Sequence, residues 1–318
     1  PDGWYTPGKI HSRLDLGKDG WLYFSTHRGS TRVGFDPKNH FAGDWIMRCD
    51  PTSGKSEVVA HAPLKMQCLP TGMLDPQRMI WYAGTADGLN QGKPQFLAYD
   101  VVRGKPLYTD GYGPDRALIF AKSTGKVYFH GEQAEPGKQG AGAALSRFDP
   151  DKPGKPQPIP AVAGLRAATL ETPQGVVYTI DRDNLWAFDV KSEESRRLGP
   201  TAVASQTYTT SLDADPSGRY LYYIPGAHGG AENDGTPVVQ YDTKTNTRKV
   251  ICFLHPVLWK ECGFIPIGSF GYDLSSDGST LFVTWNGAHD VDQIERKVPF
   301  RTVALTAIHI PESERRLD

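Results

Sequence analysis

The chain has 318 residues and 35 Lys and Arg against 36 Asp and Glu, a net charge of −1 that excludes the strong field of a nucleic-acid or membrane-surface binder. No apolar run approaches the roughly 18 residues of a membrane span. An apolar fraction of 38% with 34 glycines and 25 prolines suits a turn-rich all-β protein.

In chain order, six segments repeat one pattern: an extended run, a tight turn, an aromatic-rich run, a loop, and a third run ending before or at Asp. The first turns are "GKDG" (17–20), "DPQR" (75–78), "STGK" (123–126), "TPQG" (172–175), "DPSG" (215–218) and "SSDG" (275–278). After them come "WLYFSTH", "MIWYAGT", "VYFHG", "VVYTID", "YLYYIPG" and "TLFVTWN", each rich in the residues that strands favour. Third runs end in "RCDP", "AYDV", "RFDP", "AFDV" and "QYDT", where the Asp is expected to open the next turn by bonding its own backbone. The sixth, "VALTAIHIPES", has lost that Asp.

Turns spaced by about 43 to 60 residues fall in the range of propeller blades. The expected fold is an all-β β-propeller of four-stranded antiparallel blades, with residues 1–318 as one domain. Six blades can be read. The sixth lacks a clear fourth strand, which residues 1–9 would supply; alternatively a seventh blade lies upstream of Pro1. A start at Pro1 without Met suggests a processed product or a fragment. Blades are expected to begin near residues 11, 66, 115, 166, 206 and 268.

In such a blade the start of the first strand and the end of the second share one face. That rule places His11, His27, His130 and His228 together, with Asp181 and, in the sixth loop, His289. Strand starts add Gln67, Arg116, Arg166, Gln206, Tyr208 and Tyr272, and Arg28 follows His27. The long loops 29–42, 86–95, 131–142, 225–237 and 286–299 fall on the same face, where function concentrates. Trp4, Trp21, Trp81, Trp186 and Trp285 are expected to pack between blades.

Two chemistries follow. His11, His27, His130 and His228 are metal-ligand candidates for one divalent ion, with Zn, Mn, Ca and Cu not distinguished. Alternatively His27, His130, His228 and Tyr208 are acid–base groups, while Arg28, Arg116, Arg166, Gln206 and Tyr272 bind substrate. Guanidinium groups clamp carboxylates, and a nearby His or Tyr moves a proton. That combination suits a lyase acting on a uronate-containing saccharide. Glu132, Glu135 and Glu232 do not form the carboxylate pair of a glycoside hydrolase. "GKQGAGAALS" (137–146) lacks the ending of a phosphate-binding loop and reads as a flexible connection. Of the cysteines, Cys49 and Cys68 are expected far apart, with Cys49 a buried free thiol; any disulfide should join Cys252 and Cys262 across "FLHPVLWKE".

The runs "LDLGKDGWLYFST" and "YDLSSDGSTLFVTW" resemble blades of the virginiamycin-B-lyase, gluconolactonase-like and oligosaccharide-lyase propellers. The resemblance implies an active site at the centre of the loop-rich face, often with a metal ion, and matches no catalytic motif residue by residue. The favoured expectation is therefore a secreted or periplasmic carbohydrate lyase. The alternatives are a metal-dependent oxidoreductase or lactonase, and a non-catalytic propeller that binds a protein or glycan.

Overall fold

Short β-favouring runs cut by Gly, Pro and Asp fold as strands reversed by tight turns. The computed structural model describes residues 9–27, 42–86, 95–114, 116–132, 142–289 and 301–317. Among them lie six antiparallel sheets of consecutive strands. Sheet one holds β1 (Lys9–Ile10) and β2 (Asp15–Leu16), both on β3 (Leu22–His27), then β4 (Trp45–Cys49) and β5 (Ser56–His61). Sheet two runs β6 (Cys68–Asp75), β7 (Ile80–Ala86), β8 (Phe96–Asp100) and β9 (Lys105–Asp110). Sheet three runs β10 (Ile119–Ala121), β11 (Lys126–His130), β12 (Ala143–Phe148) and β13 (Gln157–Ala163). Sheet four runs β14 (Ala167–Ala168), β15 (Val176–Ile180), β16 (Asn184–Asp189) and β17 (Glu194–Pro200). Sheet five runs β18 (Asp213–Ala214), β19 (Tyr220–Tyr223), β20 (Pro237–Asp242) and β21 (Thr247–Phe253). Sheet six has β22 (Phe264–Leu274), β23 (Thr280–His289) and β24 (Thr302–His309).

These up-and-down sheets are blades of a β-propeller. Sheet one has five strands only because its first strand is broken into β1 and β2. Lys9 pairs with His27 in sheet one rather than extending sheet six, and residues 1–8 lie outside the described residues. The chain divides into two compact units, one of Pro1–Gln139 with Ala143–Pro160 and one of Gly140–Gly142 with Ala161–Asp318.

The repeated Asp behaves as its chemistry requires. Asp50, Asp100, Asp149, Asp189 and Asp242 each accept the N–H two residues ahead, at 2.8–3.1 Å. First turns need a left-handed residue, supplied by Gly20, Gly125, Gly175, Gly218 and Gly278. "DPQR" has no glycine, and Met79 takes that backbone at φ 55° while its side chain is buried in the core.

A second recurrent bond joins successive sheets. The Leu74 N–H donates to Asp15 Oδ2 at 2.9 Å, and the Leu274 N–H donates to Asp213 Oδ2 at 3.0 Å. Apolar contacts surround both. In unit one, Tyr23, Ile46, Leu69, Leu74 and Trp81 form a core, and in unit two Tyr222, Val238, Phe264, Val283 and Trp285 form another. Trp81 and Trp285 thus pack where blades meet, as the pattern suggested.

One helix departs from the expected all-strand reading. α1 (Leu254–Cys262) occupies the "FLHPVLWKE" connection. Pro256 is tolerated because it falls in the first turn, where N–H groups lack intrahelical partners. Gly263 stops the helix at φ 64°, its N–H returning to Trp259 O. This helix corrects the disulfide expectation: Cys252 and Cys262 are free thiols, as are Cys49 and Cys68. Cys252 is fixed in β21, and Cys262 lies at the far end of α1, where its Sγ–H donates to Leu258 O at 3.2 Å. Cys49 is half-buried rather than buried. No helix among the described residues is long and apolar enough to cross a membrane.

Candidate functional site

In unit two, the turn after β15 begins with Asp181. Its buried carboxylate accepts the Asp183 and Asn184 N–H groups at 2.7 and 2.6 Å and Trp186 Nε1–H at 2.8 Å. Asp181 is consumed in holding this turn, and Arg182 stands exposed upon it. Arg166 sits just before β14. Its N–H continues the ladder to Ile180 O at 2.7 Å, and its side chain is buried.

The Arg166 Nε–H donates to Tyr208 Oη at 2.8 Å. Tyr208 is placed from its other side as well: its carbonyl accepts the Gly226 and Ala227 N–H groups at 2.9 and 3.0 Å. Gly226, Gly229 and Gly230 all take positive φ, which folds the loop after β19 tightly enough to present His228 to the phenol ring. The two rings lie 4.7 Å apart, and His228 meets Phe270 edge-on at 5.9 Å. Arg182 completes the group, its guanidinium 5.6 Å from the centre of the Tyr208 ring.

The structure thus gathers Arg166, Tyr208 and His228 from the expected set and adds Arg182, which sequence reasoning missed. The missed signal was its position next to Asp181, a residue already placed on this face. Gln206 is turned to local bonding, its N–H donating to Asp234 Oδ2 at 3.1 Å and its Nε2–H to Ser205 Oγ at 3.2 Å. Tyr272 falls inside β22 rather than at a strand start. Its hydroxyl donates to Ile224 O at 3.1 Å and bonds Ser269 Oγ at 2.7 Å, and burial pushes the phenol well above its usual range. His289 ends β23 and bonds Cys262 O through Nδ1 at 3.1 Å.

Unit one gathers a second histidine group. His11 and His27 have ring centres 5.5 Å apart. The His11 Nδ1–H donates to Pro70 O at 3.1 Å, since a carbonyl can only accept. Burial pushes the His11 pKa down to about 4; His27, Arg116 and Lys9 add in the same direction. Next to His27 in sequence, Thr26 donates its Oγ1–H to the fully buried Asp44 at 2.8 Å. Burial raises its carboxyl pKa, against the opposing pull of Thr26, Cys68 and His27. His130 ends β11 opposite Leu145 and is half-buried, and Gln67 is buried just before β6. Arg28, Glu135 and most of the long loops (29–41, 87–94, 133–141 and 290–300) lie outside the described residues. Among the described residues, no group of three or more His, Cys, Asp or Glu is placed to hold a metal ion.

No family model and no curated protein matches the chain. Solved structures do: a chain in the crystal structure of a nidogen/laminin complex is 12% identical with a TM-score of 0.50, covering 75% of this chain and 78% of that one. Likeness at this identity shows the fold alone. Propellers carry many unrelated functions, so the site must supply the chemistry.

Proposed function

We propose that the protein is a lyase that cleaves a uronate-containing saccharide at the Arg166, Tyr208, Arg182 and His228 group. The observation that carries this reading is the Arg166–Tyr208 bond. A buried guanidinium that donates to the phenol oxygen fixes the position of that oxygen, the atom to which the proposal assigns proton removal.

In the proposed step, Tyr208 Oη takes the proton on the carbon next to the uronate carboxylate. The electron pair left behind forms a carbon–carbon double bond as the neighbouring carbon–oxygen glycosidic bond breaks. The departing oxygen takes a proton from His228. Charge developing on the carboxylate is met by Arg182, whose exposed guanidinium offers a planar fork of donors. Arg166 acts through Tyr208 and is a positioning residue.

The test is incubation with a panel of uronate polysaccharides, followed by ultraviolet absorbance of the unsaturated product. Absorbance that grows with enzyme and is lost in Tyr208→Phe supports the reading. No absorbance with any member of the panel, or full activity in Tyr208→Phe, overturns it.

A further inference from the structure

Strand β22 breaks its register with β23 twice. Pro266 pairs with Gly287 and Gly268 with Asn286, which makes Ile267 an extra residue. Ser269 pairs with Trp285 and Gly271 with Thr284, which makes Phe270 a second. Each is the unpaired residue of a β-bulge, a device that bends a strand and re-aims the side chain it carries. The two side chains end differently. Ile267 is buried with Ile265 and Ala288. β22 is buried from Phe264 to Ser269, and Phe270 then stands 37% exposed.

The backbone around this open ring is held firmly. Thr210 Oγ1–H donates to Ser269 O at 2.9 Å, and Ser211 Oγ–H donates to Phe270 O at 2.5 Å. These hydroxyls follow Tyr208 by two and three residues, so one short segment carries the phenol and grips the bulge. β22 also abuts the loop that carries His228: a Cβ on Gly268 would lie 2.3 Å from the Ala227 carbonyl oxygen. The ring so placed lies 5.9 Å from His228, and the same imidazole lies 4.7 Å from Tyr208.

We propose that Phe270 is the stacking platform of a second sugar subsite, which binds the sugar that departs with the oxygen protonated by His228. This rests on the lyase reading of the site. A pyranose carries its hydroxyls around its rim and C–H groups on its faces, and the negatively polarised face of an aromatic ring attracts such groups. With the uronate carboxylate at Arg182 and the departing oxygen at His228, the next sugar of the chain reaches the side chain that packs on that imidazole. Apolar surface beside a few placed polar groups is the usual make-up of a ligand site. The subsite responds to chain length, whereas Arg182 responds to charge.

Calorimetric titration in the Tyr208→Phe background, which lacks the proposed base, tests this with two probes. One is a set of trisaccharides of galacturonate, glucuronate and mannuronate; the other is the methyl glycoside of each single uronate, which has no departing sugar. Adding Phe270→Leu should weaken binding of the preferred trisaccharide by about 3- to 10-fold and leave the methyl uronoside unchanged. Phe270→Tyr keeps the aromatic face and should bind as the parent does. Thermal unfolding checks the fold, and Phe270→Met replaces Phe270→Leu if the latter does not fold. Trisaccharide affinity unchanged by Phe270→Leu overturns the proposal, as does failure of the parent to bind any trisaccharide. Equal losses for both probes also overturn it, because the ring then acts only by holding His228. The ultraviolet assay judges the lyase reading separately. Cleavage that Phe270→Leu leaves untouched at every chain length overturns the subsite alone. Trisaccharide binding that depends on Phe270, without cleavage by the wild type, overturns the lyase reading and supports the subsite.

Discussion

Gly84 and Pro114 meet so closely that a Cβ on Gly84 would lie 1.7 Å from the Pro114 carbonyl oxygen. The approach joins β7 to the segment leading out of β9, and backbone on the facing side cannot swing away as a side chain can. Gly84→Ala should therefore destabilise unit one by about 2 kcal/mol or more, the range of overpacked core sites. Urea unfolding of the variant beside wild type checks this; equal midpoints would mean that the segment yields freely. Gly20→Ala is a useful contrast. A Cβ there meets nothing within 4 Å, but φ is 82°, so only the smaller cost of left-handed backbone, on the order of 1 kcal/mol, is expected.

His11 gives the protein an acid limit. Its folded pKa of about 4 lies below its ordinary value of 6.5, so between these values the unfolded chain binds more protons. Stability from this group is full above pH 6.5 and is lost as the pH falls toward 4. The whole loss is on the order of 3 kcal/mol. His11→Gln keeps a donor for Pro70 O and does not titrate, so its stability should vary less across that window. Unfolding midpoints measured at pH 7, 5.5 and 4 decide the matter, and parallel profiles for the two proteins would refute it.

Tyr208→Phe removes the oxygen that Arg166 holds but leaves the ring on His228. Turnover on a cleavable uronate substrate should fall by about 10²- to 10⁴-fold with little change in KM or in thermal unfolding. Arg182→Ala should behave differently. It meets the carboxylate in both substrate and transition state, so KM should rise together with any loss in kcat. Identical kinetic changes in the two variants would argue against separate roles.

The four thiols should label in an order set by burial. Cys262 is exposed and should react with a thiol reagent first. Cys68 is fully buried, and burial pushes the Cys252 thiol up to about 11, so both should wait for unfolding. Non-reducing peptide mapping should recover no Cys252–Cys262 link. Finding that link would mean that α1 is absent.

Asp15→Asn keeps an acceptor for the Leu74 N–H, whereas Asp15→Ala leaves that N–H without its partner. The alanine variant should lose about 1–3 kcal/mol and the asparagine variant much less. Burial raises the Asp15 carboxyl pKa, so its ionised form is disfavoured in the fold, and the stability tied to protonation is lost as the pH rises through that value. Asp15→Asn removes this dependence, which pH-resolved unfolding would detect.

The propeller was legible in the sequence because its signals are local. Five Asp residues open turns by bonding backbone two positions ahead, and a turn signal or an aromatic run needs no knowledge of the rest of the chain. The direction rule for strands likewise anticipated that His11 and His27 would meet, since both flank one hairpin. Helix α1 was not legible: a nine-residue segment with Pro256 in its first turn resembles a loop, and its stop at Gly263 is a signal only once a helix is assumed.

What a polar side chain does with its donors was settled only by tertiary structure. Arg166 and Tyr208 are 42 residues apart, and nothing near either indicates that the guanidinium is spent on the phenol. Tyr272 and Tyr208 look alike in sequence, yet the Tyr272 hydroxyl is bonded inward to Ile224 and Ser269, while the Tyr208 ring faces His228 and Arg182. The sequence by itself determined where strands turn, because those bonds span two or three residues. Only the packing of separate sheets decided which side chains converge, because that depends on contacts made across dozens of residues.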